Sequence, residues 1–432
     1  SYRIDSDNFQ QIDTNSPNAS LLALRPGTLE VRVQAFNFLG KGSQISTATF
    51  NILGKTALPG NVQNLSIEAI SANTARLKWD QAVDLDVKVG GKVHIRHSSL
   101  TDGTATFSNS VDLITAIAGS STDVAVPLLE GEYIVKFADD GGRFSADDTS
   151  VIVDLPDALG KLLVKNHRED QQTPSPFRGT HVDTFYSDQY DALTLDGTAL
   201  IDSQPDFDAI PVMDFLGDVK PLGTYTFLDT IDMGLALDAV EFSRRFVTRG
   251  FYPSDTIDSR TALIDTWTDF DGGQINNVNA ELYIRSTNDD PSGSPTYGAW
   301  APFNSGTFKG RGFQFKTELK SSKIDENILV DELGYKIELT PRFDQSTAAI
   351  ASGTSTKSVT FAKPFFVGTS ALLGANTQLP SVGITVQNLG ANERFNVSNV
   401  SSTGFDIDVW DSGGNNVDRN FTYTANGYGR GQ

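Results

Sequence analysis

Three groups of side chains in this chain could do chemistry, and each points to a different process. The first is acidic: Asp265, Asp269 and Asp271 stand beside Trp267 and Phe270. A glycosidase needs two carboxyls about 5 to 9.5 Å apart flanking a sugar cleft. The same residues run into Asp271-Gly272-Gly273 and read equally as a solvated turn, with Trp267 filling a core. With 54 acidic residues in the chain, carboxylate pairs arise everywhere by chance, so number alone does not favour catalysis.

The second group is the four histidines, His94, His97, His167 and His181. His94 and His97 are three apart on a predicted strand, so they face opposite ways and cannot share a metal. Nucleophilic catalysis requires nucleophile, base and orienter to converge, and no spacing here brings them together. All four therefore read as structural, and the chain is expected to have no catalytic residues and not to be an enzyme. Asn288-Asp289-Asp290 offers oxygen ligands of the kind calcium takes. It lacks the spacing of a calcium loop, and Asp290-Pro291 is an ordinary turn initiator. No metal and no cofactor are expected.

The third group is aromatic. Tyr297, Trp300 and Phe303 lie in a Gly/Pro-rich loop, and Trp410 and Tyr428 lie near the end of the chain. An amphipathic ring on a loop can stack on the C–H face of a sugar, with Asp and Asn nearby for its hydroxyls. Alternatively, Trp300 plugs the end of a sandwich or lies between protomers. These five are the candidate receptor- or glycan-binding residues.

The elements that must position them are strands. Leu29, Val31 and Val33 alternate with Glu30 and Arg32, and the pattern returns with Tyr133, Val135 and Phe137 alternating with Glu132 and Lys136. Period-2 alternation places one face on a core and the other in water, so Glu132 and Lys136 are expected to face outward. Ala280–Thr287, Arg311–Leu319, Leu333–Leu339 and Gly404–Trp410 alternate in the same way. The strongest helical pattern, Asp157–Val164, contains Gly160 and amounts to one turn at most. The fold class is all-β: tandem β-sandwiches.

At 432 residues the chain is too long for one core of ordinary size. We divide it into part of a module (1–54), a complete module (55–156), an extended connector with short strands (157–220), a jelly-roll-like sandwich (221–350) and a small β domain (351–432). The modules are expected to follow one another as independent units in series. No run reaches the roughly 18 apolar residues that cross a bilayer as a helix. The chain has no cysteine, which excludes disulfides and thiol catalysis. A net charge of −20 opposes phosphate backbones and anionic headgroups, so nucleic acid is not an expected partner.

The complete module resembles the fibronectin type III module. It opens with Leu58-Pro59-Gly60-Asn61-Val62, continues with Leu65-Ser66-Ile67, and carries Ala75-Arg76-Leu77-Lys78-Trp79 where that family keeps a buried Trp. Only about half a module precedes Asn51-Ile52-Leu53, which with Ser at residue 1 leads us to expect a longer protein upstream. The order of units is similar to the distal half of host-specificity proteins at the tail tip of long-tailed bacteriophages. Three places carry that likeness: Tyr133–Asp139 with Gly142–Ser145, Leu282–Thr287 through Trp300 to Phe315, and Asn396–Val400 with Gly404–Ile407, which resemble a lectin-like β domain. The resemblance implies a homotrimer associated with other tail-tip proteins, made in the host cytoplasm and displayed on the virion. It also implies binding to a host cell-surface glycan or outer-membrane protein.

Overall fold

The computed structural model describes residues 1–21, 24–25, 27–52, 57–71, 73–154, 160–198, 217–253, 275–374 and 377–432. Over these residues the protein is all-β, a series of fibronectin-like and jelly-roll-like sandwiches. The α-helices described are two single turns, Leu85–Lys88 and Ser370–Leu373, and two short 3-10 turns stand at Phe107–Asn109 and Glu169–Gln171. No helix among the described residues is long and apolar enough to cross a membrane.

Tyr2–Ile4, Gly27–Val33 and Ser46–Ile52 form a three-stranded antiparallel sheet. The next unit has two layers. One sheet joins Ser66–Ser71, Thr74–Lys78 and Asp123–Pro127; the other joins Thr149–Val153, Gly131–Ala138, Lys92–Ser98 and Val111–Asp112. Leu77, Trp79, Val93, Ile95, Val126, Val135 and Phe137 meet between them. The Trp79 indole N–H donates to the Ser121 carbonyl at 3.0 Å. The Tyr133 hydroxyl accepts the Leu129 N–H and donates to the Pro127 carbonyl, both at 2.7 Å. This is the tyrosine corner of immunoglobulin-like sandwiches, which fixes the turn into the Gly131–Ala138 strand that carries Tyr133.

The outward expectation for Glu132 and Lys136 is corrected: they are 1% and 0% exposed. Flanking loops cover that face. The Ala105 N–H donates to Glu132, Lys136 pairs with Asp148 at 2.9 Å, and Phe107 packs with Ile134. Alternation identifies the two faces of a strand but carries no information about a loop folded over the outer one.

The central unit is a ten-stranded sheet curled around one large core. Its main path runs Thr180–Val182, Leu222–Thr226, Ser305–Ser321, Ile231–Phe251, Asn327–Leu339, Ala192–Leu195 and Thr184–Ser187. Val278–Thr287 pairs with Ser305–Ser321, and Leu162–Arg168 with Asn327–Leu339. Residues 162–195, within the expected connector, supply four short strands to this sheet. A buried polar network anchors them: Glu169 accepts from the Tyr225 hydroxyl and contacts His167 Nε2 at 2.7 Å, while its carbonyl accepts the Phe177 N–H. The expected helical turn falls partly outside the described residues, and from Leu162 onward it is strand.

The last unit begins at Pro341, directly after the central sheet. Pro341–Gln345, Asn420–Tyr428, Ile350–Ala351 and Ser381–Val386 form one layer, and Lys357–Thr360, Gly404–Trp410 and Arg394–Ser398 the other. Phe361, Phe365, Phe405, Ile407 and Phe421 fill the space between them.

These units are not independent. Arg96, 3% exposed, donates from Nη1 to the Phe107 carbonyl and from Nη2 to the Val278 carbonyl of the central sheet, both at 2.7 Å. Its Nε pairs with Asp112, whose own N–H donates to Asn279. Val111 belongs to the central core, and so does Phe366 of the last unit. At the chain end, the Asp238 N–H donates to the Arg430 carbonyl and the Gln432 N–H to that of Ala236. The expectation of units in simple series is corrected by these shared cores and buried polar contacts.

Candidate functional site

The site that gathers sequence-identified aromatics lies on the outward face of Val278–Thr287 and Ser305–Ser321. Ala280, Leu282 and Ile284 point into the core, as do Phe313, Phe315, Thr317 and Leu319. Alternation therefore sends Glu281, Tyr283 and Arg285 outward from one strand, and Gln314, Lys316, Glu318 and Lys320 from the other. The register sets Arg285 opposite Gln314, Tyr283 opposite Lys316, and Glu281 opposite Glu318.

Two like charges face each other at Glu281 and Glu318, which is unfavourable without cations. Lys320 donates to Glu281 at 2.7 Å and Lys316 to Glu318 at 2.6 Å. The Tyr283 hydroxyl also donates to Glu281, at 2.6 Å. Burial works to raise the Glu281 carboxyl, but bonds from Lys320 and Tyr283 outweigh it and hold the group below its ordinary value. Glu281 is therefore a held carboxylate rather than a proton donor. Burial, then the bond to Glu281, pushes the Tyr283 phenol upward.

The 288–304 loop returns over this face. The Gly298 N–H donates to the Ser286 carbonyl at 3.0 Å, and Ala301–Pro302 pairs with Tyr283 and Ile284. That pairing fixes the approach of Trp300. The Arg285 guanidinium lies 4.4 Å from the Trp300 ring and 4.9 Å from that of Tyr297. Lys316 lies 5.4 Å from Trp300 and 5.0 Å from Tyr283. Arg285 also donates twice to the Gln314 side-chain oxygen, and Gln314 donates to Thr230. Trp300 and Tyr297 are both half-buried. The result is a held, partly exposed indole ringed by cationic and amide donors, suited to stacking and hydrogen bonding.

The other sequence candidates fall elsewhere. Phe303 is corrected: it is 1% exposed and packs against Phe242, Phe308 and Phe315, so it is a core ring rather than a contact ring. Its N–H donates to the Leu282 carbonyl at 2.7 Å, which turns the end of the loop into the sandwich. Tyr428 is half-buried against the central core, at the seam with the last unit rather than at a free tip. Trp410 is half-buried at the end of the middle strand of its sheet, with Arg394 5.8 Å from its ring. Asp265, Asp269 and Asp271 lie outside the described residues. Asp290 accepts from the N–H and hydroxyl of Ser292 and pairs with Arg311, so it closes a turn. Among the described residues no group of three or more His, Asp or Glu could hold a metal ion.

His94 and His97 lie on opposite faces of Lys92–Ser98, His94 against Phe107 and Phe144 and His97 against Tyr133. The sequence reading missed Tyr283, Arg285 and Lys316 as partners of Trp300. Their outward phase was readable, but the register that aligns the two strands was not.

No protein-family profile matches this chain, and no curated protein does. Solved structures show distant likeness. A crystal structure of the chicken CNTN1 FN1-FN3 domains is 13% identical over 31% of this chain, with a TM-score of 0.19; the chain spans 44% of that one. A chain from the atomic structure of Sulfolobus Turreted Icosahedral Virus is 9% identical, with a TM-score of 0.17, covering 93% of this chain and 90% of that one. At such scores neither likeness bears on function.

Proposed function

We propose that this chain is the distal part of a tail-tip host-specificity protein of a long-tailed bacteriophage, and that it acts by attachment rather than catalysis. Its partners in this reading are further copies of itself in a homotrimer, other tail-tip proteins, and a host surface glycan or outer-membrane protein. The observation that carries the binding role is Trp300, half-buried and held over Arg285 and Lys316 on an outward sheet face. The tandem sandwiches are compatible with attachment.

Deleting the last unit would be a poor test, because Phe366 and Tyr428 close the central core. Trp300→Ala is the sharper probe, read as binding of labelled full chain to bacterial cells and to their purified surface polysaccharide. Loss of one stacking ring lowers affinity by roughly tenfold. Unchanged binding by a variant that unfolds at the wild-type temperature removes the site from this reading.

A second reading, a purely architectural trimeric spacer, is favoured by one observation: Phe36, Phe38, Leu39 and Phe50 of the first unit are largely exposed, as surface between protomers would be. A chain that forms a stable trimer by light scattering yet binds no cell or polysaccharide supports that alternative.

A further inference from the structure

A polar cleft of about 410 Å³ lies between the fibronectin-like unit and the central sheet. Asn73, Ser99, Thr101 and Glu130 line it from one side, and Lys161, Asn166, Arg244, Ser305 and Lys336 from the other. Arg244 is 7% exposed, and its Nε and Nη2 are buried with no hydrogen-bond partner. No carboxylate among the described residues forms an ion pair with it.

A buried guanidinium normally has a partner, because an unpaired buried charge costs several kcal/mol. Here the nearby acids are committed elsewhere: Glu241 pairs with Lys161 at 2.6 Å and Glu338 with Lys336 at 3.0 Å. Glu130 is exposed and screened by solvent. Arg245, the next residue, also lines the cleft but is paired with Glu332. The chain carries a net charge of −20, so its long-range field repels anions. A desolvated guanidinium reverses that field at close range, where the local dielectric is low. The uncharged polar lining, Asn73, Ser99, Thr101, Asn166 and Ser305, is hydroxyl and amide, which suits a polyhydroxylated ligand, and the volume suits one or two sugar rings.

We propose that this cleft binds the carboxylate of an acidic sugar, with Arg244 as the carboxylate partner and Ser99, Thr101 and Asn166 positioned for its hydroxyls. Arg is the side chain suited to this, since its planar fork donates two parallel hydrogen bonds to a carboxylate. The inference deepens the glycan reading and depends on it only for the source of the sugar. Its site is separate from Trp300.

The test titrates the full chain with glucuronate, galacturonate and N-acetylneuraminate, each beside its neutral methyl ester, and with inorganic phosphate. At least one acid should bind saturably and roughly tenfold or more tighter than its ester. In Arg244→Gln, acid and ester should bind alike. Equal binding of acid and ester by the wild type, or no binding of either, overturns the proposal. A preference that survives in Arg244→Gln also overturns it, as does a site that takes phosphate but no sugar. The wild-type comparison decides the matter even if the variant does not fold. Free sugars keep this result distinct from cell binding by Trp300→Ala, so either reading can fail alone.

Discussion

The first sheet and the fibronectin-like unit share one strand pattern and end in opposite states. In the second, Tyr133 and Val135 are 0% exposed and Phe137 is 2% exposed. In the first, Leu29 is 7% exposed but Val33 is 62% exposed, and the Ser46–Ile52 strand is exposed along nearly its whole length. Alternation makes a strand amphipathic, but only a second layer makes its apolar face a core. That layer is the Ser66–Ser71, Thr74–Lys78 and Asp123–Pro127 sheet, and Trp79 is its largest contribution. Trp79→Ala should therefore cost about 3–5 kcal/mol of the fibronectin-like unit's stability, measured by denaturant unfolding. A loss under 1 kcal/mol would mean the closed layer contributes little, and the contrast between the two units would fail.

Acid should separate the same two regions. His97 is 1% exposed, and burial first, with the charge of Arg244 second, holds its ring well below the ordinary histidine value. Burial lowers His94 to about 4 despite the nearby Asp112 carboxylate. Unfolded histidines take up protons near pH 6.5, whereas these folded rings do so only at lower pH. Between those values the unfolded chain binds more protons, so stability is full above about pH 6.5 and falls as pH drops toward about 4. Both rings together should remove about 2.7 kcal/mol between pH 7.5 and 5.5. Residues 1–54 contain no histidine, so the first sheet has no such term. Thermal unfolding of wild type and His94→Gln across this range checks the claim, since the variant should lose about half the slope. A flat wild-type profile would mean these rings are protonated in the folded state.

The strands were legible because apolar spacing is local, and so were the Trp79 core position and the outward phase of Tyr283 and Arg285. What was not legible depended on contacts between distant segments. Lys136 sits on the polar phase of its strand, yet the loops carrying Phe107 and Asp148 bury it. Phe303 shares a loop with Trp300, but pairing of Ala301–Pro302 turns it inward. A short strand at Leu193 and Leu195 was legible within the expected connector, but its pairing with Asn327–Leu339, which places both residues in the central core, was not. Arg96 and Arg244 were unremarked in sequence because nothing local distinguishes a surface arginine from one enclosed between two units.

The smallest expected effect is the most direct check on the open sheet. Phe50 is 58% exposed and stands opposite Leu29 in the register, so it has a cross-strand neighbour but no covering layer. A pair of this kind contributes about 0.2–1 kcal/mol. Phe50→Thr keeps strand propensity, so the loss should stay below about 1 kcal/mol, against the several expected for Trp79→Ala. The comparison breaks in an informative way if Phe50→Thr instead costs more than about 2 kcal/mol. Exposed rings lose that much only when something covers them, and the same variant should then lower the molar mass seen by light scattering. If mass and stability both hold, the apolar face of the first sheet is open to water and the fibronectin-like unit alone owes its stability to a closed second layer.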